Sequence, residues 1–143
     1  QPDRQRSPST PGATEAQAVA TVGLSNAERV GHRIDRSGQN WGTINVALRL
    51  NRSLTYPALL EAMSIAVEAR TAAVMEINMP LAPGPATGTG TDCVAIAALH
   101  GPVRYAGLHT DIGEAVGRAV YTAVLDGARQ WMATPREHIN ATP

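Results

Sequence analysis

Two short stretches hold most of the residues able to do chemistry. The first is Ala86-Thr87-Gly88-Thr89-Gly90-Thr91-Asp92, where glycines alternate with hydroxyls and end on a carboxylate. Glycines let backbone N–H groups come close to a ligand. Amides flanked by hydroxyls can hold an oxygen on which charge develops during amide hydrolysis. The plainer alternative is a tight Thr/Gly turn feeding a buried strand. A phosphate cradle is disfavoured by position, because such loops follow a strand and open a helix. This one follows a helical segment and prolines, leads into an apolar run, and has no lysine.

The second stretch is Tyr105-Ala106-Gly107-Leu108-His109-Thr110-Asp111. It ends where a helical apolar period begins, and the helix dipole disfavours a cation there. One reading of His109 is therefore a neutral imidazole that accepts a proton from water. The other is a loop histidine bonded to backbone. Asp111 and Glu114 read most simply as helix-start residues. Ser25, Asn26 and Asn45 lie at strand ends, where polar side chains often reach a site, and turn chemistry explains them equally well. His32, His100 and His138 have no carboxylate or histidine at ligand spacing, so no metal motif is present. All 12 basic residues are arginine, which excludes a lysine nucleophile or Schiff base.

The elements that must position these groups follow from periodicity. Val19–Leu24 is a short β-prone run, and Gly31–Gly42 is a polar, glycine-containing loop. Thr43–Leu50 alternates as a strand does. Thr55 is a candidate N-cap, with Pro57 in the first turn of a helix reaching about Asn78. Leu59, Met63, Ala66, Val67, Arg70, Val74 and Ile77 mark its apolar face. Cys93–Leu99 is fully apolar, the profile of a strand covered on both faces, so Cys93 is expected to be buried. Ile112, Ala115, Val116, Ala119, Val120, Ala123, Val124 and Trp131 form a helical stripe. Asp111 and Glu114 resemble a capping box at its start, and Glu114 and Arg118 are an i,i+4 pair.

The order β-β-α-β-α predicts an α/β fold, with helices packed on a small mixed sheet and a parallel strand–helix–strand unit over 43–99. Residues 18–133 form one domain. Residues 1–17 and 134–143 are too poor in apolar groups to offset ordering entropy, so a disordered start and a flexible tail are expected. Three strands are few for two such helices. Further strands are expected from outside the chain, from a partner or from a second copy.

Composition limits the partners. Formal charge is zero, with 12 basic and 12 acidic residues, which disfavours a nucleic-acid partner. No run approaches the roughly 20 apolar residues of a membrane span, and the N-terminus lacks a secretory apolar segment. A cytoplasmic location is expected. The single cysteine, Cys93, excludes an intramolecular disulfide.

Read together, several segments resemble the adenosylcobinamide amidohydrolases. They are Gly23-Leu24-Ser25-Asn26-Ala27, Gly42-Thr43-Ile44-Asn45-Val46, the Ala86–Asp92 loop, Tyr105–Thr110 and the helix start Ile112–Tyr121. Order and spacing agree over about residues 19–131. The chain departs from the pattern at His32 and Arg33 (commonly Asp-Pro), at Trp41 (usually Pro) and at Leu108 (commonly Lys).

The resemblance implies hydrolysis of the amide joining aminopropanol to the corrin ring, giving adenosylcobyric acid for cobalamin salvage. It also implies that this chain is the larger, C-terminal part of the family domain. On that basis His109, aligned by Asp92, activates water, while Thr89, Thr91 and loop amides hold the carbonyl oxygen. A rival route makes Thr89 or Thr91 the nucleophile. Thr87, Gly88, Gly90, Ser25, Asn26, Asn45, Tyr105 and Glu114 are the expected substrate contacts, with Trp41 and Tyr105 as stacking candidates. No cofactor is expected, since the cobalt belongs to the corrinoid substrate. The non-enzymatic alternative is a corrinoid-binding or sheet-completing module.

Overall fold

Alternation along one strand decides how the layers stack. The computed structural model describes residues 13–39 and 41–135. In it, strand β3 (Ile44–Leu54) buries Ile44, Val46, Leu48 and Leu50 and exposes Asn45, Ala47, Arg49 and Asn51. β1 (Ala16–Val22) pairs antiparallel with it, Val22 opposite Ile44 and Ala16 opposite Leu50. β7 (Cys93–His100) pairs parallel on the other side, from Asn45 opposite Cys93 to Leu54 opposite His100. The sheet order is therefore β1-β3-β7, with β3 central.

Helices α1 (Tyr56–Ile77) and α2 (Asp111–Ala133) cover the same face of this sheet. The α/β architecture with a small mixed sheet matches the expectation from sequence. Four two-residue strands lie outside the main sheet. β2 (Ala27–Glu28) pairs with β6 (Gly88–Thr89), and β4 (Pro80–Leu81) pairs with β5 (Gly84–Pro85).

Local chemistry sets the ends of α1. Thr55 caps it by accepting from the Ala58 amide, Pro57 lies in the first turn, and Asn78 closes it in the left-handed region at φ 53°. Its inward face is a ridge of Ala58, Ala62, Ala66, Ala69 and Ala73 with Ile65 and Val74. Small side chains let the helix approach α2 and the sheet closely. This corrects the expected stripe: Val67 is outside, 36% exposed, because the alanines take the inner positions.

Three further expectations change. β7 is an edge strand with one covered face, and Cys93, Ala95, Ala97 and Leu99 are exposed on the other. An apolar run of alanines looks fully buried in sequence, yet alanine loses little by facing water. Cys93 is accordingly exposed. The ordered domain also begins earlier than residue 18. The Asn51 side chain accepts from the Glu15 amide at 2.8 Å and donates to the Ala13 carbonyl at 2.9 Å, drawing residues 13–15 alongside β3. Residues 1–12 and 136–143, where most of the expected disorder falls, lie outside the described residues.

Candidate functional site

The Thr/Gly loop is tied up by its own fold. Asp92 accepts from the Thr89 amide at 3.0 Å, from the Thr89 hydroxyl, from the Ile44 amide at 3.2 Å and from Arg70 of α1. Gly88 is required by this ion pair: a Cβ there would stand 2.4 Å from Asp92 Oδ2 and 2.6 Å from Arg70 Nη1. Thr87 accepts from the Val30 amide at 2.8 Å. Thr91 donates to the Gly42 carbonyl at 3.1 Å and accepts from Asn26 Nδ2 at 3.3 Å. Ser25 sits against Gly42, whose added Cβ would come within 2.6 Å of Ser25 Oγ. Asn26 is fully buried, with Oδ1 unpartnered. Asn45 faces the open side of the sheet and donates to Thr21 Oγ1 at 3.3 Å. Three of the resemblance segments thus converge at the start of β3 and β7.

His109 lies at the other end. After β7 the chain returns to the end of β3, where the Val103 amide bonds Ser53 O at 3.1 Å and the Thr55 amide bonds Val103 O at 2.8 Å. A tight turn follows. The Gly107 carbonyl accepts from the Thr110 amide at 2.9 Å and the Thr110 hydroxyl at 2.7 Å, leaving His109 exposed at the bend. Thr110 is also the N-cap of α2, accepting from the Gly113 amide at 3.0 Å. That corrects the expected capping box: the Glu114 side chain pairs with Arg118 instead. Asp111 accepts from Thr14 and lies 3.5 Å from Arg52, so it ties the start of β1 to α2. The Thr14 hydroxyl bond is the main reason its carboxyl sits below the ordinary value, with Arg52 adding to it.

The expected pairing of His109 with Asp92 is therefore corrected. Asp92 immediately precedes β7 and His109 follows it, and eight strand residues separate the two ends by on the order of 25 Å. Thr89 and Thr91 stay with Asp92. Within one chain they cannot meet His109 at a single bond.

The carboxylate beside His109 is Glu61 of α1. Its Oε2 accepts from the Ala106 amide at 2.7 Å. Its other oxygen and the imidazole border one small space, since a Cβ on Gly107 would lie 3.2 Å from His109 Nδ1 and 3.9 Å from Glu61 Oε1. Leu108, next in chain, lines an apolar groove of about 320 Å³ between the helices, together with Ile65, Ala69, Ala72 and Tyr121. Tyr105 is 61% exposed nearby in sequence. Sequence reasoning missed Glu61, whose only signal was a lone acid between Leu60 and Ala62. Among the described residues no cluster of His, Cys, Asp and Glu could hold a metal ion, and no helix is long and apolar enough to cross a membrane.

This is a two-layer α/β domain in which a histidine and a carboxylate border one space above Gly107, beside an interhelical groove that Leu108 lines. Residues 6–136, most of the chain, match the adenosylcobinamide amidohydrolases, and the chain belongs to that family. It is also similar to an uncharacterized protein of Methanocaldococcus jannaschii, 38% identical over 89 residues. That match covers 59% of this chain and 35% of the relative, so the chain spans about a third of the relative's length. No solved structure matches.

Proposed function

We propose that the chain hydrolyses the amide between aminopropanol and the corrin ring of adenosylcobinamide, releasing aminopropanol and adenosylcobyric acid. His109 takes a proton from water, whose oxygen attacks the amide carbon. The tetrahedral intermediate collapses, the C–N bond breaks, and the leaving nitrogen takes the proton from the imidazolium. Glu61 Oε1 faces the imidazole across the space above Gly107, and the positive end of the α2 dipole favours the developing oxyanion. The interhelical groove offers an apolar floor on which an edge of the corrin rests. Cobalt enters only as part of the substrate.

The observation that carries this reading is the space above Gly107 shared by His109 Nδ1 and Glu61 Oε1. The test is incubation with adenosylcobinamide, following adenosylcobyric acid by chromatography. General-base assistance is worth ~10²–10⁴-fold, so His109→Ala should lose activity on that scale while remaining folded. Wild-type turnover in the variant would remove His109 from the reaction.

A second reading is a corrinoid-binding module whose sheet is completed by another chain. The open sheet face, with Val19 67% and Leu99 76% exposed, favours it. It is distinguished by binding of adenosylcobinamide without release of aminopropanol.

A further inference from the structure

A second cavity lies at the opposite end of the sheet from His109. It is a cleft of about 500 Å³ between residues 33–37 and Trp41 on one side and Glu28 with Gly90 on the other. That volume is typical of small-molecule sites. Its walls are fixed by bonds that leave three groups free. Arg36 donates to the Ser25 carbonyl at 2.9 Å and the Ala27 carbonyl at 2.7 Å. Asp35 accepts from the Ser37 amide at 3.0 Å and hydroxyl at 2.6 Å. Both Arg36 Nη atoms and Asp35 Oδ1 are thereby committed to the loop itself, while the buried Arg36 Nε has no partner.

Glu28, Arg33 and Trp41 are different. None of their side chains makes a hydrogen bond or ion pair among the described residues, although all three line the cleft. Glu28 is half-buried, and Gly90 leaves room for its carboxylate: a Cβ there would stand 3.0 Å from Glu28 Oε1. On the inner side of Gly90 lies the buried Asn26, whose Nδ2 would stand 3.8 Å from a Cβ at position 90. The Trp41 ring is 62% exposed at the mouth. A half-buried carboxylate without a donor costs free energy unless something supplies one.

Two carboxylates and two guanidiniums make the lining formally neutral, which gives no field for a polyphosphate or a polyanion. We propose that this cleft binds an uncharged planar nitrogen heterocycle of the purine-nucleoside class, stacked on Trp41 with its N–H edge donating to Glu28. Stacking on an aromatic side chain suits any flat base. The carboxylate selects rings that present donors over rings that present only acceptors. The site is separate from the His109 end and does not depend on the reaction proposed there.

The chain has two tryptophans, Trp41 and Trp131, so Trp41 can report its own occupancy. Adenosine and guanosine are titrated into the whole chain while tryptophan emission is followed. Saturable quenching is expected. It should weaken about tenfold or more in Glu28→Ala, the loss typical of one hydrogen bond to a charged group, vanish in Trp41→Ala and persist in His109→Ala. Absence of saturable quenching up to the nucleosides' solubility overturns the proposal. So does quenching that survives Trp41→Ala or is unchanged by Glu28→Ala.

Discussion

Arg70 and Asp92 form a buried ion pair that pins the middle of α1 to the loop entering β7, their side chains 14% and 9% exposed. Burial lowers the Arg70 guanidinium from its ordinary value, as expected for a cation withdrawn from water. Removing one partner leaves the other charge buried, which costs ~3–5 kcal/mol. Asp92→Ala should therefore lower stability by about that amount in urea denaturation. A variant as stable as wild type but inactive would return Asp92 to the chemistry.

Gly113 is needed for packing rather than flexibility. A Cβ there would lie 2.1 Å from the Gly107 carbonyl oxygen, the atom that anchors the turn bearing His109. By helix propensity alone, Gly113→Ala would gain about 1 kcal/mol. The clash reverses the sign, and overpacking of this kind costs ~1–3 kcal/mol. Thermal unfolding should show a loss, with activity falling as the turn shifts. A stabilised variant would mean that the first turn of α2 is free to move.

Much of this fold was legible because its signals are local. Thr55, Pro57 and Asn78 bound α1 through capping chemistry that depends on near neighbours only. The inward residues of β3 follow from alternation. What sequence could not supply was the route of the chain between the two ends of the sheet. His109 and Asp92 look like partners when 17 positions apart in the text, yet a whole strand runs between them. Glu61 lies far from His109 in sequence and reaches it only because α1 returns alongside α2. The face of β7 was misread for a related reason: a single strand's composition does not say whether a second layer covers it.

Acid should loosen the start of β1. The Asp111 carboxyl lies below its ordinary 3.8 in the folded protein, chiefly through the Thr14 hydroxyl. A depressed carboxyl contributes stability that is complete above the unfolded value and fades as pH falls through the folded one. With the side chain 68% exposed, the contribution is under about 1 kcal/mol. Lowering pH through and below 3.8 should therefore reduce the thermal midpoint slightly more in wild type than in Asp111→Asn. Equal acid sensitivity in both would show that the Thr14 bond adds nothing in solution.

Cys93 reports on the uncovered side of the sheet. It is exposed in the row formed with Thr21 and Asn45. A thiol reagent should label it in the native chain without denaturant, at a rate close to that of the urea-unfolded protein. Slow native labelling, with fast labelling after unfolding, would mean that another chain or a second copy covers this face.

Glu61 separates orientation from simple support. Its Oε2 holds the Ala106 amide at 2.7 Å, while Oε1 faces the space it shares with His109. Glu61→Gln keeps a carbonyl acceptor for Ala106 and so leaves the turn in place, but removes the negative charge beside the imidazole. If Glu61 positions and steadies His109 as it takes up a proton, kcat should fall roughly tenfold or more while KM and the melting temperature stay near wild type. Glu61→Ala loses the backbone bond as well and should also melt lower. Loss of kcat in the alanine variant alone, always in step with lost stability, would reduce Glu61 to a structural tether and leave His109 to act without a carboxylate partner.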